Sequence, residues 1–92
     1  MTVGSLRVRL LLRQARTLKD KRQVVSSIKD RLRQRFNVSV AEVEAQDNRQ
    51  LAVLGFAMVA NESSHVRSTL QQIVEALRSH PVAEFLDSEL DV

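Results

Sequence analysis

The chain has 92 residues, 43% of them hydrophobic and 27% charged, with no Cys. This length and composition fit one globular domain around a single core and exclude a disordered chain, while the missing Cys excludes disulfides, zinc–thiolate sites and thiol nucleophiles. Charge is sorted along the sequence: residues 1–36 hold eleven Lys and Arg against Asp20 and Asp30, a net of +9, whereas residues 37–92 hold three basic and nine acidic residues, a net of −6.

Thr2–Leu12 alternates, with Leu6, Val8, Leu10 and Leu12 on one side and Ser5, Arg7, Arg9 and Leu11 on the other. Period two predicts a half-buried strand. Thr17-Leu18-Lys19-Asp20 matches a capping box, with Thr17 as N-cap. The apolar stripe Leu18, Val25, Ile28, Leu32 and Phe36 predicts a helix from there, stopped at Asn37, a residue that tolerates a left-handed C-terminal position. Val38–Glu44 reads as a second strand whose pattern breaks, since Val38 and Val40 oppose Ala41 and Val43; a bulge or two-sided burial accounts for that. Ala45–Gln50 is a polar turn.

Leu51–Ala60 is apolar on both faces, as expected of a strand in the sheet centre or under a partner. Asn61–Ser64 offers N-caps for a second helix with the stripe Val66, Leu70, Ile73, Val74 and Leu77, ended by Pro81. Val82–Val92 is the last strand, with Leu86 and Leu90 facing in and Asp87, Glu89 and Asp91 facing out. The order β-α-β-β-α-β predicts one α+β domain over residues 1–92, a ferredoxin-like βαββαβ sandwich. Its four-stranded antiparallel sheet would carry both helices on one face and leave the other open.

Catalytic signals are sparse. His65 and His80 fall at opposite ends of the second helix, as exposed terminal residues unable to share a metal. Gly4 and Gly55 both lie inside strands, so no glycine-rich phosphate loop exists. The reading therefore expects no enzyme, no metal and no small-molecule cofactor. The alternative is an acyl-phosphate hydrolase using Arg13 or Arg16 in the basic turn after the first strand.

The three Phe residues, Phe36, Phe56 and Phe85, are all expected in packing, which argues against base stacking on the open sheet. Contacts to phosphates need no aromatics. On the first helix Lys19, Arg22, Ser26, Lys29 and Arg33 form one stripe, with Arg13 and Arg16 just before it and neither Asp20 nor Asp30 on it. Lys21 projects toward the apolar side, its stem on the core edge and its ammonium in water. These seven cations are the candidate nucleic-acid contacts, with RNA or the ribosome as expected partner; the bland alternative is a solvated helix face.

On the open sheet, Arg7 and Arg9 should lie beside Asp87 and Glu89, so part of the charge split cancels internally. Val53, Ala57, Val59 and Phe85 are candidate interface residues, and their exposure would favour a homodimer. The longest apolar run near the start, Leu10–Leu12, is too short for a signal-peptide core or membrane span, so a cytoplasmic protein without a membrane partner is expected.

Thr17-Leu18-Lys19-Asp20-Lys21-Arg22, then Phe36-Asn37-Val38-Ser39-Val40-Ala41-Glu42 and Gln46-Asp47, resemble in order and spacing the YlxP-like family of small bacterial proteins. The resemblance spans essentially the whole chain. It implies a ferredoxin-like domain of unknown function. It also implies a link to RNA or ribosomes through gene neighbours for transcription termination, translation initiation and ribosome maturation, by association alone. No activity or ligand comes with it. The family often has Trp in the turn after Gln-Asp, where this chain has Arg49.

Overall fold

A computed structural model describes all residues, Met1–Val92. The elements run β1 (Thr2–Leu11), α1 (Leu18–Arg35), β2 (Ser39–Glu44), β3 (Leu51–Ala60), α2 (Ser63–Arg78) and β4 (Glu84–Asp91). The four strands form one antiparallel sheet in the order β2-β3-β1-β4. Both helices pack on one face, α1 toward β2 and α2 across β1, β3 and β4. This is the ferredoxin-like α+β arrangement that the element order predicts.

The alternation in β1 decides which face is which. Leu6, Val8 and Leu10 point at the helices and are at most 2% exposed. Opposite them, Phe56, Leu54 and Ala52 of β3 do the same. Val25, Ile28 and Leu32 of α1 and Val66, Leu70, Ile73 and Leu77 of α2 complete an apolar core of 18 buried residues. Gly4 sits where α2 comes closest to β1: a Cβ there would overlap the Val66 side chain, so the missing side chain sets the helix–sheet distance.

Local signals hold in α1 at its start. Asp20 N–H donates to Thr17 Oγ1 at 3.1 Å, and Asp20 Oδ2 accepts from the Arg16 and Thr17 amides at 3.0 and 3.2 Å. The end differs from expectation. The helix stops at Phe36 in extended geometry, and Asn37 is not left-handed, because the one non-glycine residue with positive φ is Ala45 at 60°. The N-cap of α2 is Glu62, which makes no side-chain cap hydrogen bond.

Two bulges reset register: one turns Glu44 of β2 to the open face with Val53 and Arg7, and the other turns Phe85 of β4 inward. In β2, pairing slips between Glu42 and Glu44, leaving Val43 over Gly55 as the anticipated irregularity. In β4 the slip puts Phe85, not Leu86, opposite Leu10. Leu86 is therefore 40% exposed instead of facing in. Phe85 packs against the core with the Arg78 guanidinium 4.5 Å from its ring centroid, so it does not belong to the open face.

Candidate functional site

The cations divide into those neutralised within the fold and those that are not. On the open face of β1, Arg7 Nη2 meets Glu89 on β4 at 2.7 Å, while its Nη1 crosses β3 to reach Glu44 on β2 at 2.7 Å. The β3 residue paired with Arg7 is Gly55, which brings no side chain of its own, and the Val43 side chain of β2 lies over it. Both carboxylates raise the Arg7 pKa, Glu89 most through its hydrogen bond. Arg9 pairs with Asp87 at 2.7 Å and Arg13 with Glu84 at 3.1 Å. The expected β1–β4 charge pairing is present and extends further than its two arginines.

This lattice changes the picture of the open sheet. Val53 lies on that face beside Arg9 and Glu44, yet it is 2% exposed, so it is buried there and not available as an interface residue. Ala57 and Val59 are exposed, and Val59 pairs with the equally exposed Val3 at the far end of β1.

Lys21 is fully buried, contrary to the expected wet ammonium, and is withdrawn from the candidate contacts. Its Nζ donates to the main-chain oxygens of Ala45 (2.8 Å), Leu51 (3.1 Å) and Gln46 (3.3 Å), and lies 2.8 Å from Glu42 Oε2. An ammonium has three N–H groups. Four oxygens therefore share three N–H groups, with the buried Glu42 Oε2 as the counter-charge. The cause is the β2–β3 turn. Ala45 in the left-handed region turns the chain, and Asn48 Oδ1 accepts from the Gln50 and Leu51 amides, leaving the turn carbonyls aimed at α1. A four-oxygen nest is invisible in helical periodicity.

Of the remaining candidates, Arg33 pairs with Asp30 at 2.8 Å, so Asp30 does neutralise the stripe in part. Arg16, Lys19, Arg22 and Lys29 have no carboxylate within 4.0 Å, and the same holds for Arg31 and Arg35, which the single stripe left out. Arg31 and Arg35 are four residues apart on the opposite flank, a spacing present in the sequence. Between the flanks, Ser26, Ser27 and Asp30 share a shallow, open trough of the α1 surface with Lys19, Arg22 and Arg31. Phe36, Phe56 and Phe85 all pack into or against the core, so none offers a face for stacking.

The turn after β1 bears on the hydrolase alternative. Its Arg16 and Thr17 amides are taken by Asp20, and the Ala15 amide by Leu12 O. A backbone cradle for a phosphoryl group would first have to displace that carboxylate. His80 is not the free terminal residue expected. Its Nδ1 accepts from the Val82 and Ala83 amides at 3.2 and 3.0 Å, and burial first, then the charge of Arg31, lowers its pKa.

Residues 3–90 match the family model described as "Protein of unknown function (DUF503)". The chain belongs to the DUF503 family. It is also 30% identical, over 82 residues, to the "Uncharacterized protein YlxP" of Bacillus subtilis (strain 168), covering 89% of each chain. The DUF503 frame thus extends over β1 to β4 and takes in both the Lys21 nest and the α1 trough. Neither helix is long and apolar enough to cross a membrane.

Proposed function

We propose that this chain is a non-catalytic RNA- or ribosome-associated factor that binds phosphates through the outer surface of α1. The observation that carries the reading is the partition of charge. Arg7, Arg9, Arg13 and Lys21 are each matched to carboxylates from the second half of the chain. Arg16, Lys19, Arg22, Lys29, Arg31 and Arg35 lack such a partner and gather on or beside one helix. Arg22 and Lys29 lie about 10 Å apart along the axis, from the rise per residue. That is a fixed spacing able to meet separated phosphates. Without stacking aromatics, such binding depends on salt and little on sequence.

The test is binding of ribosomal RNA at ~0.1 M salt, where the Debye length is about 10 Å. Charge reversal by Arg22→Glu with Lys29→Glu is expected to abolish retention on a filter, whereas Arg67→Glu on α2 leaves it intact. For about four phosphate contacts to single strands, log K should fall against log salt with a slope of roughly −3. Unchanged binding by the double variant would overturn the reading.

A second reading is homodimerisation through the open sheet, favoured by Val3 and Val59, which are paired and 60% and 53% exposed. Sedimentation as a monomer at micromolar concentration counts against it.

A further inference from the structure

A second basic surface lies at one end of the sheet, where the loop after β1 meets the β2–β3 turn. The concavity is bordered by Arg13, Gln14, Arg16, Arg49 and Gln50, with Ala15 at its base. Its walls are tied together. Leu12 N–H donates to Gln50 O at 2.7 Å, and Gln50 Nε2 donates to Arg13 O at 3.0 Å and Ala15 O at 3.5 Å. Arg49 Nη1 donates to Arg16 O at 3.2 Å, which holds the Arg49 guanidinium against the other loop. Neither Arg16 nor Arg49 has a carboxylate within 4.0 Å. Arg13 meets Glu84, with 72% of its own side chain exposed.

Asp20 lies near enough to Arg16 for the Asp20 pKa to be lowered, first by the Arg16 amide and in smaller part by the Arg16 charge, but no carboxylate pairs directly with Arg16 or Arg49. Like charges held side by side repel, and an anion between them removes that cost. The planar fork of N–H donors matches phosphate oxygens two at a time. The amides of Arg16 and Thr17 are closed by Asp20, so recognition here falls to the side chains. We propose that this concavity is an oxyanion site for a phosphate group carrying two charges, either a monoester terminus or free phosphate. Arg16 and Arg49 grip the group, and Arg13 closes the rim. The second charge distinguishes this ligand from the singly charged diesters of a strand interior; a monoester has a second pKa of about 6 and is a dianion above pH 7. Arg49 occupies the turn between β2 and β3, away from the α1 surface, so the site shares Arg16 with the polynucleotide reading but not Arg22 or Lys29.

The experiment is an amide NMR titration of the full chain with inorganic phosphate at pH 7.5, with ionic strength held constant by chloride. Saturating shifts are expected at Arg16, Arg49 and Gln50. Arg49→Gln and Arg16→Gln should each weaken the affinity at least fivefold, and Arg67→Gln should not change it. Arg16→Gln keeps the main-chain oxygen that accepts from Arg49, so its loss of affinity is not a loss of loop structure; urea midpoints of all variants check folding. Shifts that fail to saturate, or affinities unchanged in both variants, overturn the site. A parallel arm compares 5′-phosphorylated and 5′-hydroxyl oligoribonucleotides. Tighter binding of the first identifies a monoester terminus as the source, and equal binding alongside saturating phosphate identifies the free anion. Arg22→Glu/Lys29→Glu should lose the oligonucleotide and keep the phosphate titration, which separates this proposal from the α1 reading.

Discussion

Lys21 shows how one side chain joins separate parts of the chain. Its ammonium bonds to oxygens of Ala45, Gln46 and Leu51 and faces Glu42, so a single cation ties the first turn of α1 to β2, the turn and β3. Taking a charge out of water is costly, and it persists only where other groups replace the solvent completely. Lys21→Met removes the partner while leaving three carbonyls and a mostly buried carboxylate. A loss of about 3–5 kcal/mol is expected for breaking such a pair, read as a lower urea midpoint with the slope unchanged. Adding Glu42→Leu should recover part of that loss, because the stranded charge is then gone. A surface role for Lys21 would leave the midpoint unmoved.

At the level of elements, the connections carry what strand and helix patterns do not. The link from α2 to β4 is built on His80, whose unprotonated Nδ1 accepts two backbone N–H groups. Protonation removes that acceptor. Its folded-state pKa lies below the usual 6.5, so the stabilisation is complete above the unfolded value and is lost as pH falls through the folded one. Unfolding measured between pH 7.5 and 5 should therefore show stability declining in the parent chain and a flatter profile in His80→Ala. An identical decline in both would show that the ring contributes nothing. The two bulges act in the same way. One extra residue moves Phe85 inward and leaves Leu86 outward, although both are apolar and strict alternation would have chosen Leu86.

At the scale of the whole molecule, the two halves depend on each other. β1 lies inside the sheet and pairs with β3 and β4, both from the second half. Every ion pair made by Arg7, Arg9, Arg13 and Lys21 also crosses between the halves. A peptide of residues 1–36 retains the capping box but loses the packing partners of α1. Most helical stability in proteins comes from packing of the amphipathic face rather than from propensity, so its circular dichroism at 25 °C should be mainly that of a coil. A strongly helical peptide would show that α1 is stabilised locally.

Element types and order, the capping box at Thr17, the helix stripes and the outward arginines of β1 were legible because each depends on residues close in sequence or on strict periodicity. So were the free cations Lys19, Arg22 and Lys29, whose spacing defines one edge of α1, and Arg16 just before it. The burial of Lys21 and Val53 was not legible. Each depends on groups contributed from another strand or turn: carbonyl oxygens in one case, and in the other a sheet face bridged by ion pairs. Arg49 belongs to the same class, because the turn that carries it meets the β1–α1 loop only in the folded chain. The sequence by itself therefore determined the fold class and the net imbalance of charge, both consequences of short-range patterning. Only the tertiary structure decided which cations are cancelled and which remain open to an anion, because neutralisation is a matter of distances between residues far apart in the chain.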